Sequence, residues 1–193
     1  VPISSFGVIV EGQYDVNFYR ALIERISGNN PRIEILEGNG ASLPRQFPVL
    51  LRRFEYLLDG NPVERALVLK DADGRPVTEV EEKLSRRVNQ EHFRFPRGIR
   101  FCAIQQEMET WLLADEGAIN AISLARGKGD GVLRIHEPQL ENVVNPKERF
   151  QRALSSGGLD YTPAVCAEIA LQVNLDTLRT RCSTFRRFEQ SLQ

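Results

Sequence analysis

The chain has 193 residues, with 25 Lys and Arg against 26 Asp and Glu and a net charge of −1. That length buries a core without disulfide or metal staples, and 41% hydrophobic with 26% charged residues is ordinary for a globular protein. The balance excludes a polycation that coats nucleic acid over its whole surface.

The basic residues are 21 Arg and only 4 Lys. A guanidinium fork suits phosphate and carboxylate partners, although genomic base composition gives the same bias. Cys102, Cys166 and Cys182 match no zinc spacing and read as reduced core thiols. No apolar run approaches the roughly 18 residues of a membrane span. The opening VPISSFGVIVEG lacks a basic segment and runs directly into a strand, so no signal peptide and a cytoplasmic location are expected. His92 and His136 lie far apart, so any bound metal falls to carboxylates.

In chain order, Phe6 to Val10 is a short apolar strand closed by Glu11-Gly12. Asp15 to Ser27 carries Val16, Tyr19, Ile23 and Ile26 at helical spacing. Ile33 to Leu36 is a second strand, followed by the loop Glu37 to Gly40 and a helix over Ser42 to Leu58, stopped by Asp59-Gly60. Ala66 to Lys70 is a third strand running into Asp71-Ala-Asp-Gly74, and Pro76 to Asn89 is a polar helix. Ile99 to Ile104 is a fourth strand, continued by a helix over Glu107 to Ala114.

Four βα units in series predict an α/β fold, a parallel sheet of about four strands with helices on both faces. Right-handed crossovers place every strand-to-helix loop at one edge, where ligands of open α/β sheets bind. After Asp115 the strand signal stops. A short helix over Ala118 to Leu124 and a flexible loop over Arg126 to Gly131 precede helices at Pro146–Leu154, Pro163–Val173, Leu175–Arg181 and Thr184–Leu192. Residues 1–115 therefore read as the α/β core and 116–193 as a helical extension packed on it.

Acidic residues gather at the predicted strand ends. Glu11 closes the first strand and Asp15 follows on the same side of the next helix. Asp71 and Asp73 close the third, and Glu107 and Glu109 follow the fourth. Carboxylates aimed at one edge raise one another's pKa unless a cation neutralises them. Oxygen ligands are what Mg2+ and Mn2+ prefer, with phosphate completing the shell. Each residue alone also fits a structural role: Asp15, Glu107 and Glu109 as first-turn acids, Asp71 and Asp73 as turn formers.

Val10-Glu11-Gly12-x-x-Asp15, Leu69-Lys70-Asp71-Ala72-Asp73-Gly74 and Glu107-Met-Glu109-Thr-Trp111-Leu-Leu, in that order, resemble the Toprim fold, a Rossmann-like parallel sheet. That fold occurs in topoisomerases, primases, recombination mediators and overcoming-lysogenization-defect nucleases. Nearly the whole chain resembles a family of small stand-alone Toprim-like proteins of unassigned function. The likeness extends through Asp115, Asn145-Pro146-Lys147 and the terminal Arg181-Cys-Ser-Thr-Phe185-Arg-Arg-Phe188. It implies that Glu11 is a general acid/base or metal ligand, that Asp71 and Asp73 hold Mg2+, and that Asp15 and Glu109 match acidic positions of the nuclease branch. Glu107 is the looser match.

Departures from the likeness matter too. Tyr14, Tyr19, Tyr56 and Tyr161 fall in or beside predicted helices, which leaves no topoisomerase nucleophile domain. Gly127-Lys128-Gly129 is no Walker A motif, so any ATPase partner is a separate chain. Lys70 adjoins the Asp-x-Asp loop, and strand alternation decides whether it faces the site. Arg94, Arg97 and Arg100 flank the start of the fourth strand, at the opposite edge, and read as solvated or salt-bridged. Arg181, Arg186 and Arg187, with Arg179, are the candidate phosphate contacts of the tail, while Phe185, Phe188 and Trp111 read as core.

The expected function is a Mg2+- or Mn2+-dependent phosphoesterase, a nuclease or nuclease subunit in DNA processing or phage defence. The alternatives are a non-catalytic module binding nucleic acid or a partner protein, and a small-molecule phosphotransferase or phosphatase. The sequence leaves DNA, RNA and nucleotide open as substrates.

Overall fold

A computed structural model describes residues 5–28, 32–38, 42–56, 63–89, 91–129, 134–137 and 139–193. Four strands, β1 (Ser5–Val10), β2 (Arg32–Glu37), β3 (Arg65–Asp71) and β4 (Ile99–Ile104), pair in parallel in the order β2-β1-β3-β4. The chain moves from β1 outward to β2, then returns to the other side of β1 for β3. The order thus reverses between β1 and β3, the crevice where open α/β sheets bind ligands.

Side-chain alternation sorts the strands onto two apolar layers. Phe6, Val8, Val10, Ile33, Leu67, Leu69, Cys102 and Ile104 face α1 (Gln13–Ser27) and the C-terminal helices. Ile9, Ala66, Val68 and Ala103 face α2 (Leu43–Phe54) and α3 (Val77–Val88). Gly7 belongs to the second layer, where a Cβ would sit 2.5 Å from the Phe54 ring, so the missing side chain lets α2 lie on the sheet. The α/β class and the four-stranded parallel sheet follow the sequence reading.

Helix ends differ where tertiary contacts intervene. The helix expected to reach Leu58 stops at Phe54, because the buried Glu55 carboxylate turns to accept the Arg94 N–H at 2.7 Å and to pair with Arg52 at 3.0 Å. Asp59-Gly60 lies outside the described residues. The helix expected over Glu107 to Ala114 shortens to α4 (Glu109–Leu112). Its flanks close in tighter turns, with Thr110 N–H on Glu107 O and Ala114 N–H on Trp111 O.

Beyond it lie α5 (Glu116–Ala125), a 3-10 turn at Leu140–Asn142, α6 (Pro146–Ser156), α7 (Pro163–Gln172), α8 (Leu175–Arg181) and α9 (Ser183–Leu192). Asp115 joins two of them, accepting the Gly117 N–H at the start of α5 and the Asn174 N–H before α8. The helix α9 buries Phe185, Phe188 and Leu192 in the same layer as the β1 and β3 side chains. Trp111 is fully buried, edge-on to Tyr19 and Phe185, and its indole N–H donates to Thr184 at 3.1 Å. All three cysteines are buried and unpaired. Among the described residues no helix is long and apolar enough to cross a membrane.

Candidate functional site

The crevice between β1 and β3 gathers four of the six expected carboxylates. Glu11, immediately after β1, accepts the Asp71 N–H at 2.6 Å through Oε1, and Lys70 Nζ lies 2.6 Å from the same oxygen. Lys70 also donates to the Asp71 carbonyl at 3.1 Å. Alternation puts Lys70 on the side of Ala66 and Val68, and its contacts with Glu11 and the Asp71 carbonyl bring its ammonium to the strand ends. Asp15, in the first turn of α1, reaches back to accept the Gly12 N–H at 2.8 Å.

Electrostatics tie these groups together. Burial pushes the Asp15 carboxyl up from 3.8 to about 7, and Glu109 and Glu11 add to that rise against the Gly12 hydrogen bond. Asp71 lies well above the usual carboxylate range, through burial first and then through Asp15, Glu11 and Glu109, with Lys70 opposing. Glu109, 5% exposed, is raised by burial, and the hydrogen bond from the Tyr161 hydroxyl works against the rise. Three acids thus share a partly dry crevice with one lysine, which is itself engaged by Glu11. Among the described residues no three His, Cys, Asp or Glu groups converge into a ready ligand set for a metal ion.

The other expected residues lie elsewhere. Asp73 takes a left-handed backbone (φ +51°) in the turn after β3 and pairs with Arg75 at 3.2 Å in solvent. That turn is strapped to the end of β4 by Ala72 N–H on Ile104 O and Gly74 N–H on Gln105 O. Glu107 accepts the Lys147 N–H at 3.3 Å, on the outer side of Glu109.

The tail arginines serve the fold. Arg181 donates to the carbonyls of Ala114, Ile135 and Glu137 and pairs with Glu116. Arg186 donates to Arg179 O at 2.7 Å, and Arg187 pairs with Glu81, whose other oxygen accepts the Ala103 N–H. Arg179 is held by Glu189 and Asp176. Of the loop Gly38 to Gly40, Gly38 is a packing glycine: a Cβ there would meet Leu43 at 2.0 Å. Asn39 and Gly40 lie outside the described residues.

Sequence reasoning missed the side of the crevice supplied by the helical extension. Tyr161, just before α7, donates to Glu109 and stacks on Tyr14 of α1, with centroids 4.4 Å apart and planes 9° from parallel. Lys147, at the start of α6, lies 5.6 Å from the Tyr161 ring centroid and tempers the Glu109 pKa. The only signals were Tyr14 beside Asp15 and the Asn145-Pro146-Lys147 run. Neither tells which strand end it meets.

The crevice can hold a proton near neutral pH on Asp15, orient a carboxylate at Glu11, and offer hard oxygen donors to a cation. Neither a curated protein nor a solved structure matches the chain. A family model described as a domain of unknown function, DUF4276, matches residues 10–193. That match takes in every crevice residue from Glu11 to Tyr161, and the chain belongs to the DUF4276 family.

Proposed function

We propose that this protein is a Toprim-like, divalent-cation-dependent phosphoesterase acting on nucleic-acid phosphodiesters. The observation supporting this reading is the gathering of half-buried Asp15 and Asp71 with the buried Glu109 at the point where strand order reverses. There burial first, and neighbouring carboxylates second, raise all three, while Lys70 is engaged by Glu11 and Lys147 only tempers Glu109. An all-oxygen donor set of that kind fits Mg2+ or Mn2+ and disfavours softer metals. Asp71, Asp15 and Glu109 would hold the ion by drawing together around it, since they do not converge on one point without it.

When bound, the ion supplies Lewis-acid polarisation of a phosphoryl oxygen. The remaining work falls to side chains. The Asp71 N–H and Lys70 fix Glu11 at Oε1, so its free oxygen has one orientation toward the crevice. Asp15, raised to about 7 in the cation-free crevice, would give up that proton on taking the ion, so binding of the ion is expected to strengthen as pH rises through 7. Tyr161 and Tyr14 wall the crevice on the side of the helical extension, and Lys147 there brings a positive charge toward a phosphate.

Calorimetric titration with Mg2+ and Mn2+, followed by hydrolysis of bis-p-nitrophenyl phosphate and of single- and double-stranded DNA, tests the reading. Wild type is expected to bind the ion and cleave a phosphodiester. Asp71→Asn is expected to lose both, with hydrolysis down at least about 100-fold, the scale on which a lost charge stabiliser acts. Absence of divalent heat in wild type with DNA present sinks the catalytic reading. Turnover of mononucleotides without cleavage of polymers moves the substrate to small phosphoesters.

A further inference from the structure

We propose that Arg65, Arg97 and Arg100 form a second site, for an oxyanion of the phosphate class, at the amino edge of the sheet. This edge lies about 20 Å from the carboxylates, six residues along β3, and the proposal stands independently of the acidic crevice.

Arg65 opens β3 with only 5% of its surface exposed. One terminal nitrogen donates to the Ser191 carbonyl near the end of α9 at 2.7 Å, while its Nε is buried with no hydrogen-bond partner. A guanidinium carries five N–H donors and a full charge, and burying it unpaired is expensive. The carbonyl of Ser191 accounts for one donor and supplies no counter-charge.

The charged neighbours worsen the imbalance. Arg97 is placed by its own N–H on Glu64 O at 2.8 Å, in a turn where Gly98 (φ +76°) donates to Phe95 O and accepts the Ala66 N–H. That turn holds Arg97 against the start of β3. Arg100 stands opposite Leu67 in the β3–β4 register, two residues beyond Arg65 and on the same face of the sheet. Among the described residues Arg65, Arg97 and Arg100 make no ion pair, and the side chains of Arg97 and Arg100 make no hydrogen bond. The two surface arginines act on Arg65 as like charges and, after burial, lower its pKa. The sequence reading took Arg97 and Arg100 for solvated or salt-bridged side chains. The structure leaves them unbridged, beside a buried charge that lacks a counterion.

Arg97 is half-buried and Arg100 exposed, so an anion reaches the cluster from solvent. Three planar forks of one sign suit a tetrahedral oxyanion with several acceptor oxygens, which a phosphate offers and a halide does not. The phosphate is either free in solution or one link of a nucleic-acid strand, and the two are separable by experiment.

Wild type and the double variant Arg97→Gln/Arg100→Gln are titrated with sodium phosphate, and separately with a 12-residue oligothymidylate, at fixed ionic strength with chelator present. Arg100 is exposed and Arg97 half-buried, and neither side chain holds a hydrogen bond among the described residues, so the fold is expected to be retained, and a thermal melt checks it. The expected result is saturable binding to wild type and a loss of at least about tenfold in the double variant, from two charge-assisted contacts. Arg65→Lys, which keeps the charge and loses the fork, is expected to fall between them. Phosphate binding with no gain from the oligonucleotide identifies the free ion; tighter binding of the oligonucleotide identifies a strand. Equal affinity in wild type and double variant, or no binding of either probe, overturns the proposal. Binding is read with chelator present, which keeps divalent ions out of the acidic crevice, so failure here and failure there are told apart.

Discussion

The two edges of the sheet carry opposite charge and are built in different ways. At the carboxyl edge, Glu11, Asp15, Asp71 and Glu109 arrive from two strands and two helices, and Tyr161 of the helical extension closes the crevice. At the amino edge, Arg65 and Arg100 come from two neighbouring strands and Arg97 from the turn leading into β4, with Ser191 of α9 accepting from Arg65. Burial first, and neighbouring carboxylates second, raise the pKa values of Asp15, Asp71 and Glu109. The arginines have no such outlet, because guanidinium keeps its proton throughout the accessible pH range. An uncompensated carboxylate cluster therefore adjusts by protonation, whereas an uncompensated arginine cluster adjusts only by acquiring an anion. The net charge of −1 cancels these two local imbalances and hides both.

A single helix connects the edges. The first residues of α9 hold Trp111 through Thr184, beside the Glu109 segment, and its last turn holds Arg65 through Ser191. Trp111 is the side chain on which this connection turns, fully buried among Phe18, Tyr19, Phe185 and Phe188. Trp111→Ala is expected to cost about 3–5 kcal/mol in chemical denaturation, the range for deleting a buried aromatic. It is also expected to weaken divalent binding at one edge and phosphate binding at the other. A cost below about 1 kcal/mol breaks the picture of α9 as the shared support.

The contrast in outlets is tested by pH. The folded Asp15 carboxyl is raised from 3.8 to about 7, so the folded state holds a proton there that the unfolded chain releases. The resulting penalty is full above pH 7, shrinks as pH falls, and is gone below the unfolded value. Asp15→Asn keeps an oxygen for the Gly12 N–H and removes the charge. It is expected to stabilise the protein by about 1–2 kcal/mol at pH 8, a rise of about 2–8 °C in Tm, with the gain vanishing near pH 4. A gain independent of pH contradicts a carboxylate held near neutrality.

What was legible in the sequence follows the same division. The α/β order, the bounds of β4 and α8, and the burial of Trp111, Phe185 and Phe188 could be read because apolar period and turn residues are local signals. The meeting of Glu11 with Asp71 was legible as well, since strand ends of a parallel sheet share an edge. The direction of Asp73 was not: one left-handed residue in a turn sends it to Arg75 and the solvent. Nor were the partners of the tail arginines, which depend on where α9 crosses the sheet and not on its own sequence. Tyr161 lies 52 residues from Glu109 in the chain, and no spacing rule links a loop tyrosine to a particular strand end. Arg65 was overlooked because an arginine at the start of a strand reads as surface, and only the packing of α9 over it makes it buried.

The smallest expected effect isolates how the helical extension supports the carboxyl edge. Tyr161→Phe preserves the ring stacked on Tyr14 and removes the hydroxyl that donates to Glu109. That donor opposes the rise burial imposes on Glu109, so its loss moves the Glu109 pKa further up. A carboxylate raised in the folded state costs stability above its folded pKa, and the cost is relieved as pH falls toward the unfolded value. The variant is therefore expected to lose about 1–2 kcal/mol at pH 8, the scale of one hydrogen bond to a charged group, and to approach wild type in acid. The carboxyl carbon-13 resonance of Glu109 is expected to titrate at higher pH than in wild type. Phosphate affinity at the amino edge is expected to stay constant, because the described partners of Tyr161 are Glu109, Tyr14, Phe150 and Lys147, away from that edge. An unmoved Glu109 titration assigns Tyr161 to packing alone and leaves the carboxyl edge as self-supporting as the amino edge.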